Sequence, residues 1–212
     1  MEGSASAPTH PDIELEPPEW QPRALWVGAR QLCGAAAFFF ISFVFAYFYL
    51  RSLDSDQDWK IGRVDPPTVF GIIIIIVLIV SAIAMREAAR NPAHTVSAGS
   101  AAVVLALLSI VLQVIAWTTL GFGPSSGGYA SVYVGWTAWF AVFTLPCAFW
   151  METQVATAWR RSREGVLGAE PTTAADVHTD PAVISAGLEA CSFFWSFYVF
   201  GGLVLFVLLY LL

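Results

Sequence analysis

Residues 187–212 read GLEACSFFWSFYVFGGLVLFVLLYLL, and their only charged residue is Glu189. The 23 residues that follow it carry no charge. At about 1.5 Å per residue, a helix of that length crosses the roughly 30 Å hydrocarbon core of a bilayer. A soluble protein would need a large surrounding core to bury this run, and 212 residues with several such runs cannot supply one. The stretch therefore predicts a membrane-spanning helix.

The composition of the whole chain agrees with a membrane protein. Hydrophobic residues make up 57% and charged residues 12%, whereas ordinary soluble domains carry about 25% charged residues. These values exclude disordered, collagen-like and disulfide-scaffold classes. The net charge of -6 comes largely from the first 19 residues, and no basic stripe is present, so we expect no nucleic-acid partner. We interpret Cys33, Cys147 and Cys191 as small buried residues rather than as disulfide or metal ligands.

Further uncharged stretches mark the other spans. Residues 31–50 and 66–85 each have the length of one span, whereas residues 95–151 are too long for one helix. The sequence GFGPSSGG at 121–128 divides them, because it favours a tight turn. The sequence thus predicts an all-α membrane bundle of five helices over residues 25–212, near 27–51, 66–88, 96–120, 129–156 and 183–212.

The remaining residues, 1–24, form a polar, acidic, proline-rich tail. They lack the basic start and apolar stretch of a cleavable signal peptide, so we expect the first helix to act as its own insertion signal. Seven arginines lie on the side of the N-terminus, and three basic residues lie on the other side. The positive-inside rule therefore predicts a cytoplasmic N-terminus and a C-terminus outside.

Histidine placement argues against redox chemistry in this chain. His10, His94 and His178 all fall in the tail or in loops, whereas haem and copper in membrane oxidoreductases need buried imidazole or sulfur ligands. Paired carboxylates within the spans, which are typical of proton or ion relays, are also missing from the sequence. We therefore expect no catalytic residue, metal or cofactor in the chain itself, and an interior without polar groups.

A few polar and small residues remain for other roles. Glu189 is either an interfacial acid favoured by the helix dipole, or a buried acid bonded to another helix, a lipid headgroup or a partner subunit. Gln113 lies well inside the third helix, where an interhelical hydrogen bond is expected. The small residues 34–37 and 201–202 favour close helix approach. Pro146 is expected to kink the fourth helix.

The last and fourth helices carry recognisable residue patterns. Residues 187–190 (GLEA) lead into residues 193–197 (FFWSF). The fourth helix begins with residues 129–133 (YASVY), and Thr137 follows one turn later. These segments are similar to a Glu-Ala-Ala stretch followed by Trp-His-Phe, and to Tyr-Gly-Ser-Val-Phe with a threonine, in one known membrane-protein family.

The third and first helices extend the same similarity. Gln113 and Trp117 have the spacing of a Gln-x-x-Glu-Trp pattern, and residues 38–40 (FFF) and 45–48 (FAYF) give an aromatic first helix. With these features the chain resembles subunit III of the haem–copper oxidases, in its five-helix form. It departs from that family where polar residues are usual, at Ala36, Ala116, Phe140, Phe143, Ser196 and Val199.

The resemblance implies a non-catalytic subunit in the bacterial cell membrane, packed against catalytic subunit I and other oxidase subunits and binding phospholipid. Haem and copper are expected in the partner subunits and not in this chain. Glu189, Gln113, Trp117 and Trp195 are the candidates for lipid or subunit contacts. Two alternatives remain, namely the related subunit of a nitric oxide reductase and an unrelated small membrane transporter or assembly factor.

Overall fold

The computed structural model describes residues 20–54, 58–60, 65–164 and 181–212. Within these ranges the chain is helical without strands, and five helices are long and apolar enough to cross a membrane. The predicted helical bundle of a multi-pass membrane protein is thus confirmed. The elements are α1 (Trp20–Ser52), a short 3₁₀ helix (Asp58–Lys60), α2 (Thr68–Arg90), α3 (Thr95–Thr118), α4 (Gly128–Glu164) and α5 (Pro181–Phe206), which a π-helical turn (Val207–Leu211) continues.

Two helices are longer than the sequence predicts. Helix α1 begins at Trp20 rather than near 27, and α4 extends to Glu164 rather than to 156. Charged residues end a membrane span but need not end a helix, because the backbone hydrogen bonds continue into the aqueous region. The predicted tail lies outside the described residues except for its last five positions, which form the first turns of α1. Helix α4 continues through Pro146.

Helices α2, α3, α4 and α5 form a closed ring. Each helix packs against the next one in the chain, and α5 returns to pack against α2. Helix α1 lies outside this ring and contacts α5 and α4. In α4 and α5, 50% of the apolar segment is buried, whereas the share in α1 is 17%, so α1 is the peripheral helix.

The two ends of the bundle are distinguished by their connections. We call the end with the turn between α3 and α4 the turn face, since the predicted break at residues 121–128 lies there and Gly127 has a left-handed φ of 106°. The π-helical turn and the 3₁₀ helix lie at the same end, where the ring of Trp59 covers Gly128 and Arg51 donates to the Leu212 carbonyl at 3.3 Å. The opposite end, with the first turn of α1 and the α2–α3 connection, is the helix-start face.

Glycines in α5 allow the closest helix contacts. A Cβ atom on Gly201 would overlap the ring of Phe40 from α1, and one on Gly202 would lie 2.7 Å from the ring of Phe140 in α4. The predicted close approach at residues 201–202 is therefore confirmed. A Cβ atom on Gly34 of α1 would have no neighbouring atom within 4 Å, so this glycine does not contribute to a helix contact among the described residues.

Aromatic rings fill the middle of the bundle. Tyr198 of α5 stacks on Phe140 of α4 with ring centres 4.5 Å apart, and Phe40 of α1 contacts both rings. Cys147 and Cys191 are buried and unpaired, as expected, and Cys33 is half-buried. The large apolar side chains left exposed, on α1, α2 and α3 above all, face outward over the length of the spans.

Candidate functional site

The interior of the ring contains polar side chains, and the expectation of an interior without polar groups is wrong. The buried polar residues are Ser81, Thr95, Ser109, Gln113, Thr137, Thr144 and Ser192. Several hydroxyl groups donate to a carbonyl one turn earlier in the same helix, at 2.6 Å for Ser109 and 2.8 Å for Thr144. Such hydroxyls are satisfied locally, which is why an apolar stretch accommodates them.

Two of these buried residues, Gln113 and Thr137, lie near the turn face with three aromatic residues that have polar atoms. We call these five residues the Gln113 cluster: Gln113 and Trp117 of α3, Tyr133 and Thr137 of α4, and Tyr210 of the π-helical turn. Trp117 Nε1 donates to Thr137 Oγ1 at 3.1 Å. The hydroxyl oxygens of Tyr133 and Tyr210 lie 2.9 Å apart. Gln113 lies close to the hydroxyl of Tyr133, but no hydrogen bond of standard geometry joins them. Three segments of the ring are thus joined by polar contacts.

Helical spacing explains how the cluster forms. Gln113 and Trp117 are four residues apart and lie on one face of α3, and Tyr133 and Thr137 have the same spacing on α4. Tyr210 lies in a π-helical turn, in which each hydrogen bond spans five residues, as from Leu212 N to Val207 O at 3.2 Å. A π-turn changes the direction of the side chains that follow, and such turns are frequent at functional sites.

A cavity of about 30 Å³ lies inside the ring beside the cluster. Its polar lining comes from Gln113, Thr137 and Tyr210, and its apolar lining comes mainly from α2 and α5. The Nε2 atom of Gln113 is buried and has no hydrogen-bond partner of standard geometry among the described residues. The cavity is therefore a small, partly polar space surrounded by four helices.

The short 3₁₀ helix closes the turn face above the cluster. Tyr129, which is fully buried, donates through its hydroxyl to the Leu209 carbonyl at 2.5 Å. The ring of Trp59 meets Tyr129 edge-on with centres 5.8 Å apart, and Lys60 Nζ lies 4.5 Å from the centre of the Tyr129 ring. These contacts hold the 3₁₀ helix against the first turn of α4, which is itself bonded to the π-helical turn.

A second polar contact joins three helices farther from the turn face. Trp195 Nε1 of α5 donates to Ser81 Oγ of α2 at 3.1 Å. Ser81 Oγ in turn donates to the Ala102 carbonyl of α3 at 2.7 Å. Trp195 is 1% exposed and Ser81 is 0% exposed, so both hydrogen bonds lie in the interior. We call these three residues the Ser81 bridge.

The four sequence candidates fall at three separate places. Gln113 and Trp117 belong to the Gln113 cluster, and Trp195 belongs to the Ser81 bridge. Glu189 is exposed on the outside of α5 and makes no hydrogen bond or ion pair with the described part of the chain. It lies about 12 Å along the helix axis from Pro181, the first residue of α5.

Sequence reasoning missed the roles of Ser81, Tyr129 and Tyr210. Ser81 stands 114 positions from its partner Trp195, and its neighbours are all apolar, so no local pattern indicates it. Tyr210 gives a weak signal, because it is the only residue with a polar tip in the last twelve positions. Comparison with family models and with curated proteins finds no match for the chain.

Proposed function

We propose that this chain is a non-catalytic membrane subunit of a haem–copper terminal oxidase, of the subunit III type, which stabilises the catalytic subunit and binds lipid at their contact. In such a complex, dioxygen is reduced to water with electrons from cytochrome c or a quinol, and protons are moved across the membrane. Haem and copper belong to the partner subunits in this proposal. The distribution of basic residues supports a cytoplasmic N-terminus, and the family resemblance supports the bacterial cell membrane.

The observation that carries the proposal is the hydrogen bond between Trp117 and Thr137. The resemblance rests on separate motifs in different helices, and an accidental match in an apolar sequence would place motif residues on the outer surface as often as inside. Trp117 of the third-helix motif and Thr137 of the fourth-helix motif bond to each other, and Gln113, Tyr133 and Trp195 are buried. Other motif residues, among them Phe38, Phe45, Glu189 and Phe193, are exposed. The motifs of α3 and α4 thus supply a polar contact between these two helices.

The dimensions of the interior favour a packing role over transport. A transporter is expected to show interrupted helices around a polar site at the middle of the membrane. Within the described ranges the spans are continuous, and the departure from α-helical geometry is the π-turn at the end of α5. The cavity inside the ring has a volume of about 30 Å³, which is far below the roughly 300 Å³ of a typical small-molecule site.

The outer surface supports contact with a neighbouring subunit or lipid. Phe38, Phe45 and Tyr49 of α1 are exposed, and Phe45 stacks on Tyr49 with ring centres 5.6 Å apart. In a bilayer, helices associate through packing of such faces rather than through hydrophobicity. Glu189 faces outward from a membrane helix, where a carboxylate is costly unless a donor or cation meets it. A partner subunit or a lipid headgroup would supply that group.

Purification of the native complex through an affinity tag on this chain tests the proposal. We expect the purified material to show the visible absorption of haem, to contain a histidine-rich catalytic subunit in a constant ratio, and to consume dioxygen. The chain produced alone serves as the control and should be colourless. A haem-containing complex that reduces nitric oxide and not dioxygen would favour the alternative reductase subunit. A colourless, stable homo-oligomer with transport activity would refute the oxidase proposal.

A further inference from the structure

The two tyrosine hydroxyls of the Gln113 cluster share one hydrogen bond. The Oη atoms of Tyr133 and Tyr210 are 2.9 Å apart, and either hydroxyl can be the donor. Only one hydroxyl hydrogen can lie between the two oxygens, so the tyrosine that accepts still has its own O–H to donate. Tyr133 is 0% exposed, and Tyr210 is half-buried among apolar side chains. One hydroxyl hydrogen of the pair therefore requires another acceptor inside the bundle.

Gln113 presents a second donor at the same place. Its side chain is 8% exposed and lines the cavity, and its Nε2 atom has no partner of standard geometry within the described residues. An amide nitrogen carries two hydrogens, and the Tyr133 hydroxyl, which lies close to Gln113, can accept only one of them. Buried donors of this kind are almost always paired with protein or ordered water. At least one N–H of Gln113 is thus left without an acceptor among the described residues.

Thr137 offers an acceptor to whatever occupies the cavity. Its Oγ1 donates to the Tyr133 carbonyl at 2.7 Å and accepts from Trp117 Nε1 at 3.1 Å. A hydroxyl oxygen has two lone pairs, so one remains on the wall of the cavity. The cavity therefore combines two donors, from Gln113 and the tyrosine pair, with one acceptor.

The size and polarity of the cavity admit water. Its volume of about 30 Å³ exceeds the roughly 10–15 Å³ that a single water molecule needs, and its polar lining supplies the 2–4 partners that a buried water requires. An apolar occupant such as a lipid methyl group would leave both donors unpaired. We propose that the cavity binds one ordered water molecule, which accepts from Gln113 Nε2 and from the tyrosine pair and donates to Thr137 Oγ1. This water joins α3, α4 and the π-helical turn whatever complex the chain belongs to.

The test is a density map of the purified native complex that contains this chain, at a resolution that resolves ordered water. It is recorded for the wild type and for two variants. Gln113→Met preserves the length of the side chain and removes both donor hydrogens. Ser109→Ala is the matched control, because Ser109 lies one turn earlier on the same face of α3 and bonds to the Ala106 carbonyl, away from the cavity. We expect a water peak in the wild type and in Ser109→Ala, and its loss in Gln113→Met.

Two results would overturn the inference. One is a wild-type map that shows ordered water elsewhere in the interior but no peak in this cavity, and the other is a peak of equal height in Gln113→Met. A measurement on the wild-type chain in bilayers keeps the inference testable if the variants do not fold. In water-edited solid-state NMR, magnetisation from water should reach the Gln113 side-chain nitrogen sooner than the backbone nitrogen of Ser109. A slower transfer to Gln113 would exclude a bound water.

Discussion

Replacement of Ser81 by alanine removes the hydroxyl group at the centre of the Ser81 bridge. The wild-type hydroxyl accepts from Trp195 Nε1 at 3.1 Å and donates to the Ala102 carbonyl at 2.7 Å. The Ala102 carbonyl lies within a helix, where it also accepts from a backbone N–H, so it stays paired in the variant. The indole N–H of Trp195 has no second acceptor among the described residues. The variant therefore loses two interhelical hydrogen bonds and leaves one buried donor unpaired.

The expected magnitude follows from these two bonds. Hydrogen bonds between membrane helices contribute about 0.6 kcal/mol on average and about 1.7 kcal/mol at most. Two average bonds amount to about 1.2 kcal/mol, and a buried unpaired donor costs roughly 1–3 kcal/mol when it finds no other partner. We therefore expect Ser81→Ala to lower the free energy of unfolding by about 2–4 kcal/mol. In a Trp195→Phe background no donor is left unpaired, so the same change should cost only about 0.6 kcal/mol.

The assay is reversible unfolding of the full chain in mixed micelles, with the four chains of this double-mutant cycle measured side by side. Ser109→Ala is the control, since its hydroxyl bonds within its own helix and its removal should leave the free energy of unfolding nearly unchanged. The reasoning is refuted if Ser81→Ala destabilises the chain no more than Ser109→Ala. It is also refuted if Ser81→Ala costs the same in both backgrounds.

Four further substitutions have contrasting expected outcomes. Gly201→Ala should lower the free energy of unfolding by about 1–3 kcal/mol, because the new methyl group overlaps a phenyl ring of α1. Gly34→Ala is the control: its methyl group has open space, so the free energy of unfolding should stay unchanged or rise by up to about 1 kcal/mol. Equal losses in the two variants would contradict this prediction. Trp117→Phe should cost about 0.6 kcal/mol in the same assay, and nothing through this bond once Thr137 is valine. If the chain is an oxidase subunit as proposed, Glu189→Gln should reduce the yield of intact complex more than turnover per haem, and loss of turnover in an intact complex would argue against a structural role.

The helices could be predicted from the sequence because charge and hydropathy are local properties. The break at residues 121–128 combines glycine, proline and serine, and the structure has its turn there. The ends of α1 and α4 could not be predicted equally well, since a helix that leaves the membrane changes its surroundings without changing its backbone bonds.

The interior contacts could be predicted only in part. Gln113 is visible as an amide in an apolar run, and Trp117 shares its helix face, so a polar contact on α3 is expected from the sequence. Which residues meet them depends on the closure of the ring. Tyr133 and Tyr210 are 77 positions apart, and the π-turn that brings Tyr210 to the cavity has no signature in the run of leucines around it.

The position of α1 outside the ring has a consequence for biosynthesis. The ring of Phe40 occupies the space that Gly201 leaves free. The two residues are 161 positions apart, so Phe40 leaves the ribosome long before Gly201. Helix α1 can contact α4 earlier, but its packing is complete only after α5 has been inserted. A nascent chain that stalls before α5 exposes the unfilled side of α1, and quality-control proteases could distinguish it by that surface from a finished protein.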